Sequence, residues 1–196
     1  MKLDEVTSYV WRSSVEYKLG NKNYWDEKTF LRKWFEDYYP GSWERQGASG
    51  LYWFLLKDKT VQDLVAVKKP TDFPKKGSNI SKISKENQFI FQENLCEPDE
   101  DGFLVIYNGH EKNVFARIRS HIALNNDATT AIGFGKYKTL SKFDLRVRVF
   151  HNKFPMDDLD EEDRQFIKRL LENKSGRTAI EQYWRTQNGW PVLCKE

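Results

Sequence analysis

The sequence predicts an α+β layer fold: a small three-stranded antiparallel sheet flanked by helices. Three observations carry that expectation. Residues 143–150, Phe-Asp-Leu-Arg-Val-Arg-Val-Phe, alternate apolar and polar positions strictly, which is the period of a half-buried strand. Two further apolar runs, 51–56 and 103–107, have strand length and follow glycine-bearing turns. The remaining apolar residues recur at helical spacing. The resulting order, helix-helix-strand-insertion-strand-helix-strand-helix-helix, suits helices packed on one antiparallel sheet.

Residues 3–19 read as an amphipathic helix, with Val6, Tyr9, Val10 and Tyr17 near one face and Gly20-Asn21 as the stop. A second helix over 26–38 carries Phe30, Leu31, Trp34, Phe35 and Tyr38 and ends at Pro40-Gly41. Their apolar stripes need cover, so they predict an N-terminal helical extension, 1–48, packed on a main domain, 49–196. The strand at 51–56 opens that domain. An insertion at about 57–102 follows, and its stretch 57–88 has eight lysines against four acidic residues, which makes it a positively charged, loop-rich segment. Phe89-Ile90-Phe91 within it reads as a short strand.

The strand at 103–107 leads through a turn into a helix bearing Val114, Ile118 and Ile122. A turn-rich connection, 125–142, precedes the strand at 143–150. That strand turns Phe143, Leu145, Val147 and Val149 inward and Asp144, Arg146 and Arg148 outward. An acidic first turn at 158–161 starts a helix that buries Phe166, Ile167, Leu170 and Leu171. Residues 173–176 break it. A last helix over 177–187, with Ile180, Tyr183 and Trp184 inward, stops at Asn188-Gly189.

Aromatic residues form 15% of the chain, which argues for a packed core and against disorder. The net charge of +3 neither requires nor excludes a nucleic-acid partner. Cys96 and Cys194 lack metal-ligand spacing and read as free thiols in a reducing compartment. Met1-Lys2-Leu3-Asp4-Glu5 is too polar for a signal peptide, and no run approaches the roughly 20 apolar residues of a membrane span. A soluble, cytoplasmic protein without a membrane partner is expected. Walker, G-x-S-x-G and H-E-x-x-H patterns are absent from the sequence.

If strands 51–56 and 103–107 are neighbours, Tyr52 and Tyr107 approach each other across the sheet. A cation beside a phenol favours the phenolate, which can take a proton from water. Either tyrosine alone is more often a core aromatic. Arg117 and His121, four residues apart, share a helix face. A guanidinium there can grip a phosphate with two parallel hydrogen bonds; the alternatives are a solvated arginine and a boundary histidine. His110 is the other imidazole near the turn. Glu181 can hold a Mg²⁺ that keeps most of its waters, or it can close a capping box with Thr178.

Gly50-Leu51-Tyr52 and Tyr107-Asn108-Gly109, followed by Lys112-Asn113, Arg117 and His121, resemble the GIY-YIG nuclease family from Gly50 onward. The Lys-Asn pair ahead of the arginine is similar to the excision-repair incision subunit, and the Arg-His spacing to restriction endonucleases. The resemblance implies a metal-dependent endonuclease acting on DNA phosphodiesters. Tyr52 and Tyr107 would flank the attacking water, with one of them or His121 as base. Arg117 would clamp the phosphate, and Glu181 would bind one Mg²⁺ or Mn²⁺. Lys68, Lys69, Lys75, Lys76, Lys112, Arg146 and Arg148 are the candidates for tracking the backbone of double-stranded DNA. RNA stays open as a partner, as does oligomeric state, a homodimer included. A non-cleaving binding module and a ribonuclease or structure-specific nuclease are the alternatives. The sequence departs from the family in three places. A gap of 54 residues separates the two tyrosines, Asn108 stands for a hydrophobic residue, and the C-terminal Pro191-Val192-Leu193-Cys194 has no final Asn.

Overall fold

The computed structural model describes residues 1–19, 47–71, 73, 77–124 and 131–195. The helix expected over 26–38, Lys75 and Lys76 lie outside these. Among the described residues four strands form one antiparallel sheet: β1 (Val15–Lys18), β2 (Gly50–Lys57), β3 (Phe103–Glu111) and β4 (Leu145–His151), in the order β1-β4-β2-β3. Six α-helices accompany them: α1 (Leu3–Arg12), α2 (Val61–Val65), α3 (Ile80–Phe91), α4 (Val114–Ala123), α5 (Glu161–Glu172) and α6 (Lys174–Asn188).

The three-stranded sheet expected from the sequence is therefore corrected to four strands. The fourth comes from the N-terminal stretch read as one helix. That helix stops at Arg12, and Val15-Glu16-Tyr17-Lys18, which alternates apolar and polar, pairs with β4. The pairing partner lies some 130 residues away, so nothing local in the sequence announces it. Phe89-Ile90-Phe91 is likewise the end of α3 and not a strand. Asn79 caps that helix through Lys82 N–H, and Ile80, Ile83, Ser84 and Asn87 recur on its buried face.

β2 lies between β3 and β4 with helices on both faces of the sheet, which is why its first seven residues are all buried. The face carrying Leu51, Trp53 and Phe150 packs against α1 and α6: the Trp11 ring meets those of Trp53 and Trp184 at 5.2 and 5.3 Å, and Tyr9 meets Phe150 edge-on at 6.0 Å. The other face carries Tyr52, Phe54 and Val147 and packs against α4 and the turn at Phe134 (Phe54 to Phe134, 4.8 Å). The outer edge of β3 is covered by the C-terminal segment, where Leu193 N–H donates to Ile106 O at 2.8 Å. Asn87 of α3 donates to the Val192 and Cys194 carbonyls at 2.9 and 2.7 Å, so the insertion is tied into the body of the protein. Among the described residues no helix is long and apolar enough to cross a membrane.

Candidate active site

The β2–β3 register pairs Tyr52 with Gly109 and Phe54 with Tyr107, so the two tyrosines face the same side. Their rings lie stacked, 6.1 Å apart. Both motif glycines have a steric reason. A Cβ at Gly50 would sit 2.1 Å from the Phe150 carbonyl oxygen of β4, and one at Gly109 would sit 2.7 Å from the Tyr52 Oη. The first glycine lets β4 close on β2, and the second makes room for a phenol.

α4 begins at once after the β3 turn because Asn113, of the Lys-Asn pair, caps it: its Oδ1 accepts from Ala116 N–H at 3.1 Å. The helix then delivers Arg117 and His121 to the tyrosines. His121 Nδ1 accepts from the backbone N–H of Ile132 at 3.3 Å, so the neutral ring carries its proton on Nε2 and donates to Tyr52 Oη at 2.9 Å. Tyr52 in turn donates to Tyr107, and Arg117 hydrogen-bonds both phenols. Four of the five residues expected to be catalytic thus form one hydrogen-bonded group.

Burial dominates their acidities. Tyr52 is 1% exposed and His121 wholly buried. Desolvation raises Tyr52 far above an ordinary phenol, and the neighbouring Tyr107 adds to this while Arg117 opposes it. Tyr107 is half-buried, and burial pushes it up to about 12; a second cause is Cys194, against which Arg117 and the Tyr52 hydroxyl work. The acidifying effect of a nearby cation is present but smaller than the cost of burying a phenolate. Burial holds His121 well below the usual imidazole range, and Arg117 holds it lower still. For Arg117 itself burial works downward, but Tyr52 and Tyr107 outweigh it and the guanidinium stays firmly charged. Arg117 of this group also lines a hollow of about 490 Å³, together with Glu111, Lys112, Asn113 and Ser120.

Glu181 approaches from elsewhere. The capping-box reading fails because α6 starts at Lys174, which puts Thr178 inside the helix, donating to Lys174 O at 2.9 Å. Glu181 is 8% exposed. Its Oε1 is paired with the Arg185 guanidinium one helical turn on, and its Oε2 lies 3.6 Å from His110 Nε2. Among the described residues neither tyrosine nor Arg117 is a direct partner of this carboxylate, although its charge acts on both phenols. Burial raises its pKa and Arg185 pulls it back. His110 projects from β3 on the face opposite Tyr107; its Nδ1 accepts from Arg177 at 3.4 Å and its Nε2 meets the Thr178 hydroxyl at 3.0 Å. Burial and the Arg177 charge bring His110 down to about 4.

Among the described residues no group of three or more metal-ligating side chains gathers. A lone carboxylate with one oxygen outside any hydrogen bond nonetheless suits a single hard cation that keeps its waters. The sequence reading missed Arg185 and Arg177, each four residues from Glu181; that spacing was the available signal.

The remaining candidates are dispersed. Arg146 is held between Glu16 and Asp144, at 2.6 and 2.8 Å, and Arg148 lies against the Trp11 ring at 4.1 Å with a bond to Trp11 O. Lys68 and Lys69 are exposed beside a separate hollow. Comparison with protein families, with curated proteins and with solved structures found no significant match to this chain.

Proposed function

We propose that this protein is a metal-dependent endonuclease that hydrolyses DNA phosphodiester bonds by a GIY-YIG-type mechanism, acting in the cytoplasm on double-stranded DNA. The observation that carries the reading is the hydrogen-bonded chain from His121 through Tyr52 to Tyr107, with Arg117 on both phenols. Tyr107 ends that chain on the more open side, so its phenolate, formed by loss of the phenol proton to solvent, takes the proton from the attacking water. Arg117, firmly cationic, grips the scissile phosphate beside Lys112 and offsets the charge that grows there. Tyr52 and His121 are sealed from solvent; they orient Tyr107 and stabilise its oxygen as the proton arrives and leaves. Glu181 would hold one Mg²⁺ or Mn²⁺ through Oε2, the oxygen that faces His110 and not Arg185, and the ion would supply Lewis-acid character toward a phosphate.

The Glu181–Arg185 ion pair favours a second reading, a nucleic-acid-binding module that does not cut, because the carboxylate already has its counter-charge. Supercoiled plasmid separates the two. Under the nuclease reading Mg²⁺ yields nicked or linear product, EDTA stops it, and Tyr107→Phe and Glu181→Gln stop it while the fold is kept. Retarded but uncut plasmid under Mg²⁺ and Mn²⁺ alike selects the binding module. Structured RNA in parallel reactions tests the ribonuclease alternative.

A further inference from the structure

The His110 ring stands between Arg177 and Glu181, and its neighbours dictate where its proton lies. Arg177 Nε–H donates to His110 Nδ1 at 3.4 Å, and His110 Nε2 lies 3.0 Å from the Thr178 hydroxyl. That hydroxyl gives its own proton to Lys174 O at 2.9 Å. A guanidinium N–H is always a donor, so Nδ1 must present a lone pair. The neutral ring then carries its proton on Nε2 and donates to Thr178 Oγ1. The other tautomer, like the doubly protonated ring, would set two N–H groups against each other at Arg177.

Arg177 is fixed in this task. Its Nη1 donates to the Leu171 and Glu172 carbonyls at 2.6 and 3.0 Å, which closes the C-terminal end of α5, and the residue is 4% exposed. One guanidinium thus joins α5, α6 and β3, and the cap sets the direction in which its Nε–H points.

The consequence falls on Glu181. Its Oε2 lies 3.6 Å from His110 Nε2. Two ligands at about 2.1 Å from one tetrahedral ion stand roughly 3.4 Å apart. The pair therefore has the spacing of a chelate, yet the nitrogen that faces the carboxylate bears a proton. A cation on Oε2 is left with oxygen donors and water, the set that suits Mg²⁺ and Mn²⁺. An imidazole lone pair at the same place would favour Ni²⁺, Cu²⁺ or Zn²⁺.

We infer that Arg177 determines which cation Glu181 takes: by holding His110 in the Nε2–H form, it keeps the imidazole from acting as a ligand and reserves the carboxylate for hard, water-carrying ions. Arg177 acts through His110 and is a positioning residue. The inference rests on the reading of Glu181 as a cation ligand but not on cutting activity.

Long-range ¹H–¹⁵N correlation spectra of ¹⁵N-labelled protein, without added metal, read the ring directly. His110, assigned by its loss in His110→Asn, should show the Nε2–H pattern in wild type and in Arg177→Lys, which keeps a donor. Arg177→Gln, whose amide oxygen accepts from Nδ1–H, should shift it to the other tautomer. Calorimetric titration of untagged protein with Ni²⁺ reads the selectivity. Of the three histidines, His121 and His151 are wholly buried, so a new imidazole ligand is His110. Arg177→Gln should bind Ni²⁺ about 10–100-fold more tightly than wild type, the range over which an outer hydrogen bond alters metal affinity. Arg177→Gln/His110→Asn should lose that gain, and Arg177→Lys should match wild type.

A wild-type ring protonated on Nδ1 overturns the inference. So does equal Ni²⁺ affinity in wild type and Arg177→Gln, or wild-type Ni²⁺ binding that His110→Asn removes. The wild-type spectrum and His110→Asn supply the test without Arg177→Gln, should that variant not fold. Mn²⁺ binding, followed by electron paramagnetic resonance, checks the underlying reading. If Glu181→Gln leaves it unchanged, the cation reading falls and the inference with it, whatever the tautomer. The expected tautomer and Ni²⁺ gain, in a wild type that leaves plasmid intact under Mg²⁺, would uphold the role of Arg177 and reject the nuclease.

Discussion

The Cys194 thiol stands 3.2 Å from the Asn108 side-chain oxygen, and the Asn108 backbone N–H points back at the same sulfur at 3.3 Å. These are two of the positions at which the sequence departs from the nuclease pattern, and they are in contact. An amide present on β3 and missing from the C-terminal segment face each other across one buried contact. Asn108 Oδ1 also accepts from Arg185 Nε at 2.9 Å, which links the pair to the guanidinium that holds Glu181.

That contact should appear as energetic coupling. Asn108→Leu strands a buried Arg185 N–H and should cost about 1–3 kcal/mol. Cys194→Ala should cost about 1–2 kcal/mol through lost packing and the lost sulfur contacts. Urea unfolding of both single variants and the double should give a double that is less destabilised than the sum, by about 0.5–1 kcal/mol. Strict additivity would show that the contact is incidental.

The motif glycines make a second prediction. Gly50→Ala drives a methyl group into backbone of β4, which cannot swing aside, and should lower stability by about 1–3 kcal/mol or more. Gly109→Ala meets the movable Tyr52 phenol instead. It should cost less in thermal unfolding yet reduce nicking more, because it pushes Tyr52 off His121. The reverse ranking in both measurements would contradict the register described for β2 and β3.

The identity of the base sets a pH profile. A Tyr107 pushed up to about 12 has a phenolate fraction that grows with every unit of pH in the ordinary range. Single-turnover nicking should therefore climb from pH 7 to 9.5, by up to about tenfold per unit, with no plateau. Tyr107→Phe should lower the rate by about 10²–10⁴-fold, whereas Tyr52→Phe should leave the slope of the profile in place. A plateau above pH 7 would assign the proton transfer to an imidazole.

Two depressed histidines predict acid lability. His110, at about 4, and His121, held well below its usual range by burial, bind protons less readily in the folded chain than in the unfolded one, whose histidines titrate near 6.5. Stability is then complete above about pH 6.5 and is lost as pH falls from there towards 4. Partial solvent access to the His110 ring screens its charge, so its share is on the order of 1–2 kcal/mol. Glu181, raised by burial, works in the opposite direction over its own range. Urea midpoints between pH 7.5 and 4.5 should fall for wild type and fall less for His110→Asn. Parallel curves would rule His110 out as a cause.

Much of the site was legible because its spacing is local. Tyr107, Gly109, Asn113, Arg117 and His121 lie on one strand, turn and helix, so residue count alone puts them together. Strict alternation likewise announced β4. What escaped depends on contacts that sequence distance hides. β1 is four residues long and defined by its pairing with β4, and the helical pattern before it absorbed its alternation. Gly176, read as a breaker, sits inside α6 because a Cβ there would lie 2.3 Å from the Leu170 carbonyl where α5 crosses. The expected drop in phenol pKa failed because the pocket is drier than a strand-end position suggests. The sequence points to Glu181, but only the packing of α6 against β3 brings His110 to it.

The C-terminal segment that runs along β3 has a practical consequence. Leu193 supplies a backbone donor to a strand that would otherwise present an unpaired edge. Trimming residues 190–196 would uncover a sticky rim of main chain and release the α3 anchor at Asn87. Such a shortened protein should self-associate through that rim, which size-exclusion chromatography would read as a shift to larger species.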